Sequence, residues 1–365
     1  MAAPSRSSYV EVIESAWRDH LAPRAAGAPT VISTFAGAGG SSLGFSMAGY
    51  RELLAVEWDD HAVACFRANF PHVPVYHGDI AKLSVDEVLR RTGLKPGELD
   101  VFDGSPPCQG FSTAGKRSFG DQRNQLVREY MRLLKGLQPK AFVMENVSGM
   151  VKGHMKLIFA ECLRELKACG YKVSARLLNA MYFNVPQSRQ RLIFVGVRDD
   201  LEIAPTHPSA QTKPISCKEA LVGVVPKTHA PLPKGHEVVF PYIKQGKAAI
   251  DCVPKGVLAK YIPKMVNNAK FSFGGICKRL HSCKQAPTIT KIFRSYSEPV
   301  IHFSENRYLA IEELQTLHSF PSSYKFQGKY VDAYARIGNS VPPLFMRAIA
   351  THLRDHILKT NQIAA

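Results

Sequence analysis

The chain has 365 residues and a mass of 40.3 kDa, room for one large α/β domain or for a core domain with a smaller partner. Its 45% hydrophobic and 21% charged residues, with 26 Gly and 24 Pro, exclude a collagen-like, coiled-coil or wholly disordered chain, and no apolar run approaches the ~18 residues of a membrane span. The 47 Lys and Arg exceed the 30 Asp and Glu by 17, an excess that usually meets a polyanion.

The first residues carry Arg6, Glu11 and Glu14 and no apolar stretch, so no secretory signal is read there and an intracellular, cytoplasmic protein is expected. Residues 1–29 predict a tail and one helix, Tyr9 to His20. From Val31 to Val197, short β-rich runs alternate with amphipathic stretches, the pattern of a doubly wound parallel sheet. The strands are predicted at Val31–Phe35, Leu53–Trp58, Val75–His77, Val101–Phe102, Ala141–Val147, Val173–Leu178 and Leu192–Val197. Helices are predicted at Asp60–Phe70, Gln125–Leu137 and Lys156–Cys169, the last stopped by Gly170. The catalytic and cofactor-binding domain is therefore placed at 30–199.

After Arg198 the texture changes. Residues 201–290 hold 12 Lys and one Arg against three Glu and one Asp, and ten of the 24 prolines. This predicts an irregular, basic module over 200–286, in which Lys264, Lys270, Lys278 and Arg279 are expected to meet phosphates and Gly274-Gly275 to let backbone approach a groove. Regular structure returns over 287–365, with helices near Ile311–His318 and Pro342–Lys359. The eight cysteines form no Cys-x-x-Cys pair, so neither a zinc ribbon nor a disulfide framework is read and no metal is expected.

Four groups of residues carry chemistry. Phe35-Ala36-Gly37-Ala38-Gly39-Gly40 follows a strand and opens a helix, where glycines let backbone turn tightly against a ligand. Glu57, twenty residues after Gly37, is placed to accept ribose hydroxyls; Trp58 is placed to stack on a purine and Asp79 to meet its amino group. With no Gly-x-Gly-x-x-Gly and no Gly-Lys-Ser/Thr, an adenosine ligand without a polyphosphate fits best, and S-adenosylmethionine is the common one. The second group is Gly104 to Ser112, where Pro106 and Pro107 fix the backbone ahead of Cys108, a nucleophile candidate in a Pro/Gly-rich loop. The third, Glu145-Asn146-Val147, ends an apolar strand, where a half-desolvated carboxyl suits proton donation. The fourth is Gln187-Ser188-Arg189-Gln190-Arg191, whose alternating cations project to one side and suit a pyrimidine carbonyl or a phosphate.

With these residues in this order, the chain resembles the DNA (cytosine-5) methyltransferases of the stand-alone, prokaryotic type. The resemblance covers the glycine loop, Glu57-Trp58, Asp79-Ile80, Pro106-Pro107-Cys108-Gln109, Glu145-Asn146-Val147 and Gln187-x-Arg189-x-Arg191. Beyond the basic gap it continues through Arg307-x-Leu309, Glu313, Leu317, Phe320-Pro321 and Gly338-Asn339-Ser340-Val341-Pro342-Pro343. The chain departs from the family at Ala310, where Thr is usual, at His318, where Gln is usual, and at Ser319, where Gly is usual.

The resemblance implies a Rossmann-like, S-adenosylmethionine-dependent methyltransferase sheet with a smaller irregular target-recognition domain. It implies methyl transfer to C5 of a cytosine flipped out of double-stranded DNA. Cys108, Glu145, Arg189 and Arg191 would be catalytic: Cys108 would add to C6, Glu145 would meet N3 and the exocyclic amine, and Arg189 would hold O2. Phe35, Gly37, Gly39, Gly40, Glu57, Trp58, Asp79, Ile80, Pro106, Asn339 and Ser340 would line the cofactor. Gln109, Ser112, Lys116 and Arg117 in a closing loop, and Thr288 of a Thr-aliphatic pair with Ile289, would touch DNA. A nucleoid-associated monomer is expected, with a companion restriction endonuclease as a possible partner. Two other readings compete. The related transfer-RNA cytosine methylases usually carry a Cys-Phe-Thr triplet, which this chain does not have. A non-catalytic DNA-binding regulator of the same fold would not need Cys108, Glu145 and Arg189 together.

Overall fold

The computed structural model describes residues 8–107, 125–153, 155–232, 235–261, 277–293 and 300–359. The chain divides into two compact units. A sheet unit comprises Arg18–Asn179, Gln190–Ala210 and Phe345–Ala365; a second unit comprises Met1–Trp17, Ala180–Arg189 and Gln211–Leu344. This division differs from the one expected from composition. Residues 180–189, with Gln187 and Arg189, belong with the basic region instead of the sheet, because Ser188 N donates to Ala286 O at 2.8 Å and Ile289 N to Gln187 Oε1 at 3.0 Å, while 287–344 continues that region and the C-terminal segment from Phe345 returns to the sheet unit as expected.

The sheet unit is built on β1 (Thr30–Thr34), β2 (Arg51–Glu57), β3 (Val75–His77), β4 (Val101–Gly104), β5 (Ala141–Val147), β6 (Tyr171–Asn179) and β7 (Gln190–Arg198). Their order is β3-β2-β1-β4-β5-β7-β6. The first five are parallel, and the chain reverses its winding between β1 and β4, the switch point where such sheets place their ligands. The parallel pattern expected throughout stops at β7, which runs antiparallel to both β5 and β6. The connection from β6 to β7, residues 180–189, is too short for the crossover that a parallel pair needs.

Buried on both faces, the central strands read as continuous apolar runs. The core gathers Phe102, Tyr130, Phe142 and Phe194. Tyr130 stacks on Phe102 with centroids 4.9 Å apart, and its hydroxyl meets the carbonyls of Phe102 and Val143. A side chain at Gly104 would collide with Thr34 Oγ1 and the Tyr130 ring, so β4 has to end in glycine. Helices α1 (Tyr9–Leu21), α2 (Gly40–Met47), α3 (Asp60–Asn69), α4 (Val85–Thr92), α5 (Gln125–Leu137) and α6 (Met155–Ala168) follow the predicted positions or fill the gaps between them. Asp59 caps α3 by accepting from Ala62 N at 2.8 Å.

The second unit has little regular structure. Among its described residues the longer helices are α7 (Lys255–Tyr261), α8 (Ile311–Leu317) and α9 (Tyr330–Asn339), with a two-residue ladder between Lys278–Arg279 and Val300–Ile301. Phe240, Ile243, Leu258, Cys277, Ile301 and Tyr308 form its core. Arg279, expected to pair with phosphate, is instead 5% exposed. Its guanidinium donates to the carbonyls of Ile243, Phe240, His302 and Glu305 and to Asn306 Oδ1, at 2.6 to 2.9 Å. It is a scaffold group, because irregular backbone leaves carbonyls that a ladder would otherwise satisfy. Lys264, Lys270, Gly274 and Gly275 lie outside the described residues. No helix among the described residues is long and apolar enough to cross a membrane.

The three departures from the family pattern have visible consequences. Ala310 precedes α8 without a hydroxyl to cap it, and Glu313 reaches back to Ala310 N at 2.7 Å while gripping Arg307 with both oxygens. Ser319 sits at φ +62°, a conformation that favours the glycine it replaces. His318, fully buried, bridges Gln187 Nε2 at 3.0 Å and Ser340 O at 2.9 Å. Since a carbonyl only accepts, the imidazole carries its proton on Nε2 and receives Gln187 at Nδ1.

Candidate active site

The glycine loop leaves β1 in left-handed conformations at Phe35 (φ 55°), Gly37 (φ 58°) and Gly39 (φ 89°), and α2 begins directly behind it. Glu57 closes β2 beside this loop. Its carboxylate accepts from Gly37 N at 2.7 Å and from Trp58 N and Asp59 N at 2.9 Å each, so the acid first organises the backbone around it. Trp58 is 74% exposed, an aromatic side chain beside the Glu57 carboxylate. Asp79 follows β3, exposed, and caps the short turn Ile80–Lys82 through Ala81 N at 3.0 Å, with Ile80 buried behind it. An exposed aromatic beside one acid, with a second acid after the neighbouring strand and a loop that presents backbone, fits an adenosine with no polyphosphate.

The neighbouring strand ends carry a second group. Pro106 is buried after β4, and its carbonyl accepts from Asn146 Nδ2 at 3.3 Å. Asn146 Oδ1 in turn accepts from Val147 N at 2.9 Å. The amide therefore ties the start of the Pro-Pro loop to the end of β5, a task the sequence motif alone does not reveal. Ser105 Oγ lies 3.5 Å from Phe35 O, a contact between this loop and the glycine loop.

Glu145 meets Arg191 Nε through Oε1 at 2.6 Å, both side chains nearly sealed from solvent. The β5–β7 register sets Val147 opposite Arg191 and Glu145 opposite Ile193, so the pair is a diagonal on one face of the sheet. Arg189 is occupied elsewhere. It lies in the second unit, 2% exposed, and donates to the carbonyls of Ile289, Gly338 and Ser340 at 3.0 to 3.1 Å. Of the two arginines expected at the pyrimidine, Arg191 is thus the one beside Glu145. Asn339 and Ser340 also belong to the second unit, where Ser340 ends α9 and donates to Arg336 O at 2.7 Å. Thr288, exposed, donates to Ser188 O at 2.8 Å. Cys108, Gln109, Ser112, Lys116 and Arg117 lie outside the described residues.

Two acids that sequence motifs did not single out sit behind the glycine loop. Asp103 Oδ2 accepts from Ser41 Oγ at 2.6 Å, and Glu52 Oε1 accepts from Ser42 Oγ at 2.8 Å. Burial pushes Asp103 up to about 7 and Glu52 up to about 8, against the smaller opposing effect of these serines.

A doubly wound sheet that carries a nucleoside-type loop at its switch point and an acid–amide pair on the next rim is the construction of an S-adenosylmethionine-dependent methyltransferase. The sequence comparison narrows the class: residues 29–355 match the model of the C-5 cytosine-specific DNA methylases, and the chain belongs to that family. It is 38% identical over 340 residues to the type II methyltransferase M1.HphI of Haemophilus parahaemolyticus, covering 91% of this chain and 87% of that one. It is 32% identical to M.DdeI of Desulfomicrobium norvegicum, covering 91% and 90%. Among solved structures it is similar to a prophage-encoded protein of E. coli described as a DNA modification methyltransferase, with a TM-score of 0.73 at 22% identity over 91% of this chain and all of that one. The S. pombe Dnmt2 methyltransferase shares the fold at a TM-score of 0.58 and 16% identity, over 91% and 99% of the two chains. The protein is a sequence-specific DNA (cytosine-5) methyltransferase that uses S-adenosylmethionine.

Proposed function

We propose that this enzyme methylates its target cytosine through covalent activation by Cys108, with Glu145 and Arg191 acting at the ring. C5 of cytosine is too weak a nucleophile to take a methyl group unaided. The Cys108 thiolate adds to C6, and the electron pair displaced toward C5 makes that carbon nucleophilic. Glu145 in its protonated form donates its proton to N3 and accepts from the exocyclic amine, which spares the ring a full negative charge when the thiolate adds. Arg191 holds the Glu145 carboxyl in place and adds positive field on the same face. S-adenosylmethionine supplies an electrophilic methyl group, and Glu57, Trp58 and Asp79 hold its adenosine. After transfer, a base takes the C5 proton and the C6–sulfur bond breaks, releasing Cys108. The observation that carries this reading is the Glu145–Arg191 pair at 2.6 Å on the rim where Asn146 anchors the Pro106 carbonyl, two residues before Cys108.

The target must leave the duplex stack to be reached, at a cost of a few kcal/mol. The segment from Ser112 to Asn124, with Lys116 and Arg117, is assigned to closing over it, and the basic 200–286 region with Thr288 to reading the target. We assign the enzyme as a nucleoid-associated monomer, and the type II names of its relatives support a companion restriction endonuclease. The test is direct: Cys108→Ser should abolish methylation while S-adenosylmethionine binding survives, and DNA carrying 5-fluorocytosine at the target should trap a covalent adduct on Cys108. An adduct mapped to another residue, or substantial turnover by the serine variant, refutes the assignment.

A further inference from the structure

The proposed reaction leaves the acid pair behind the glycine loop without a task. Asp103 lies in β4 and Glu52 in β2, the two neighbours of β1. They grip adjacent residues, Ser41 and Ser42, in the first turn of α2. Each serine is therefore held by a carboxyl from a different strand, and together they fix where the glycine loop hands over to the helix. Ser33 of β1, fully buried, faces both acids. One hydroxyl donates to one acceptor at a time, so it satisfies only one of two carboxylates. Ser33 Oγ and Glu52 Oε2 are sealed from solvent and make no hydrogen bond of good geometry among the described residues. A carboxyl that keeps its proton has a donor to offer there; a carboxylate has none.

The surroundings favour that proton. Asp103, 3% exposed, is faced by Ser33 and Ser41, by the N–H of Gly104, by Glu145 and by the Tyr130 ring hydroxyl. Glu52 is faced by Ser33, Ser42 and Asp103. None of these groups is a cation. The sign is fixed by the direction of both shifts, which burial drives upward. A carboxyl whose titration point is raised on folding gives up stability as pH climbs from its ordinary carboxyl range towards about 7 for Asp103 and about 8 for Glu52, and above those points the folded pair is ionised.

We propose that Asp103 and Glu52 are positioning residues for the cofactor loop, holding Ser41 and Ser42 as a proton-keeping pair, so that affinity for S-adenosylmethionine falls as the pair ionises. Two buried carboxylates on either side of Ser33 repel across β1, and the repulsion pushes apart the two serines that set the loop. The inference rests on the reading of the glycine loop as the cofactor site.

The experiment is S-adenosylmethionine binding to the full chain by calorimetry, from about pH 6 to about pH 9, across the window in which the pair ionises. The wild type should lose affinity by up to about tenfold per pH unit above its titration point, the limit set by the fraction of competent protein. The double variant Asp103→Asn, Glu52→Gln mimics the protonated pair and should bind at low pH as the wild type does, with a flattened profile. Ser41→Ala removes the hydrogen bond that lowers Asp103, so its fall in affinity should move to higher pH. A flat wild-type profile, or a double variant with the wild-type slope, overturns the proposal. If the double variant fails to fold, an unshifted Ser41→Ala profile overturns it alone. Trp58→Ala tests the underlying reading separately: undiminished affinity in that variant would mean the cofactor sits elsewhere.

Discussion

In the sheet unit, the carboxylate that closes β2 collects backbone N–H groups: Glu57 takes those of Gly37, Trp58 and Asp59. In the second unit, two buried arginines collect carbonyls, Arg279 four and Arg189 three, whereas the sheet unit's Arg24, which also holds four, stays partly exposed. The contrast follows from the backbone. Loops that leave parallel strands and lead into helices present N–H groups, and an acid there both satisfies them and faces a ligand. Irregular backbone without ladders has carbonyls to satisfy in several directions, and only arginine's planar fork reaches many at once. Charges of opposite sign therefore organise backbone in the two regions, and substitutions separate them.

The largest expected effect belongs to the acid that is chemistry rather than scaffold. Glu145→Gln keeps a hydrogen bond but supplies no proton, so methylation should fall on the order of 10²- to 10⁴-fold while cofactor affinity holds. Near-normal turnover in a radiolabelled methyl-transfer assay would reduce Glu145 to a structural partner of Arg191. Next comes the scaffold cation. Arg279→Ala strands several buried carbonyls and should cost about 3 kcal/mol or more in chemical denaturation, and Arg279→Lys should recover little of it. S-adenosylmethionine binding in both variants should persist; its loss would break the separation drawn between the units.

Smaller effects sharpen the comparison. Ala310→Thr restores a hydroxyl cap to α8 beside Glu313 and should raise stability by about 1 kcal/mol, read as a rise in Tm. No gain would show that the reach of Glu313 to Ala310 N already suffices. Lys284, exposed in the same basic region as Arg279, should behave in the opposite way to it. Lys284→Ala should leave folding untouched and lower the slope of DNA affinity against salt by about one unit, uniformly across sequences. An unchanged slope would take Lys284 out of the DNA-facing surface.

Much of the sheet unit was legible because its signals are local. Apolar runs, the glycine loop and Glu57-Trp58 sit where strand and turn chemistry put them, and the predicted strands agree with the observed ones within a residue or two. The direction of β7 was not legible, since an apolar run carries no arrow and only the short connection over 180–189 decides it. Arg279 was misread for a related reason. In a stretch crowded with cations, nothing in the sequence separates the one that turns inward from those that face solvent. Asp103 and Glu52 were passed over because their meaning arises across three strands, from partners 62 and 10 residues away.

The reversal of β7 makes a loop length part of the chemistry. In a wholly parallel sheet, the far end of β7, at Arg198, would lie level with the end of β5; reversed, the strand delivers its first residues there instead, with Arg191 opposite Val147. Two segments travelling in opposite directions thus meet at one rim, each supplying a member of the ion pair. Side chains alternate faces along a strand, so a slip of one residue in β7 would turn Arg191 to the opposite face and leave Glu145 alone. Residues 180–189 therefore act as a spacer with a parity. Inserting or deleting a single residue where that segment enters β7 should silence the enzyme with the sheet intact, whereas a two-residue change that keeps Arg191 on its face should be the milder lesion.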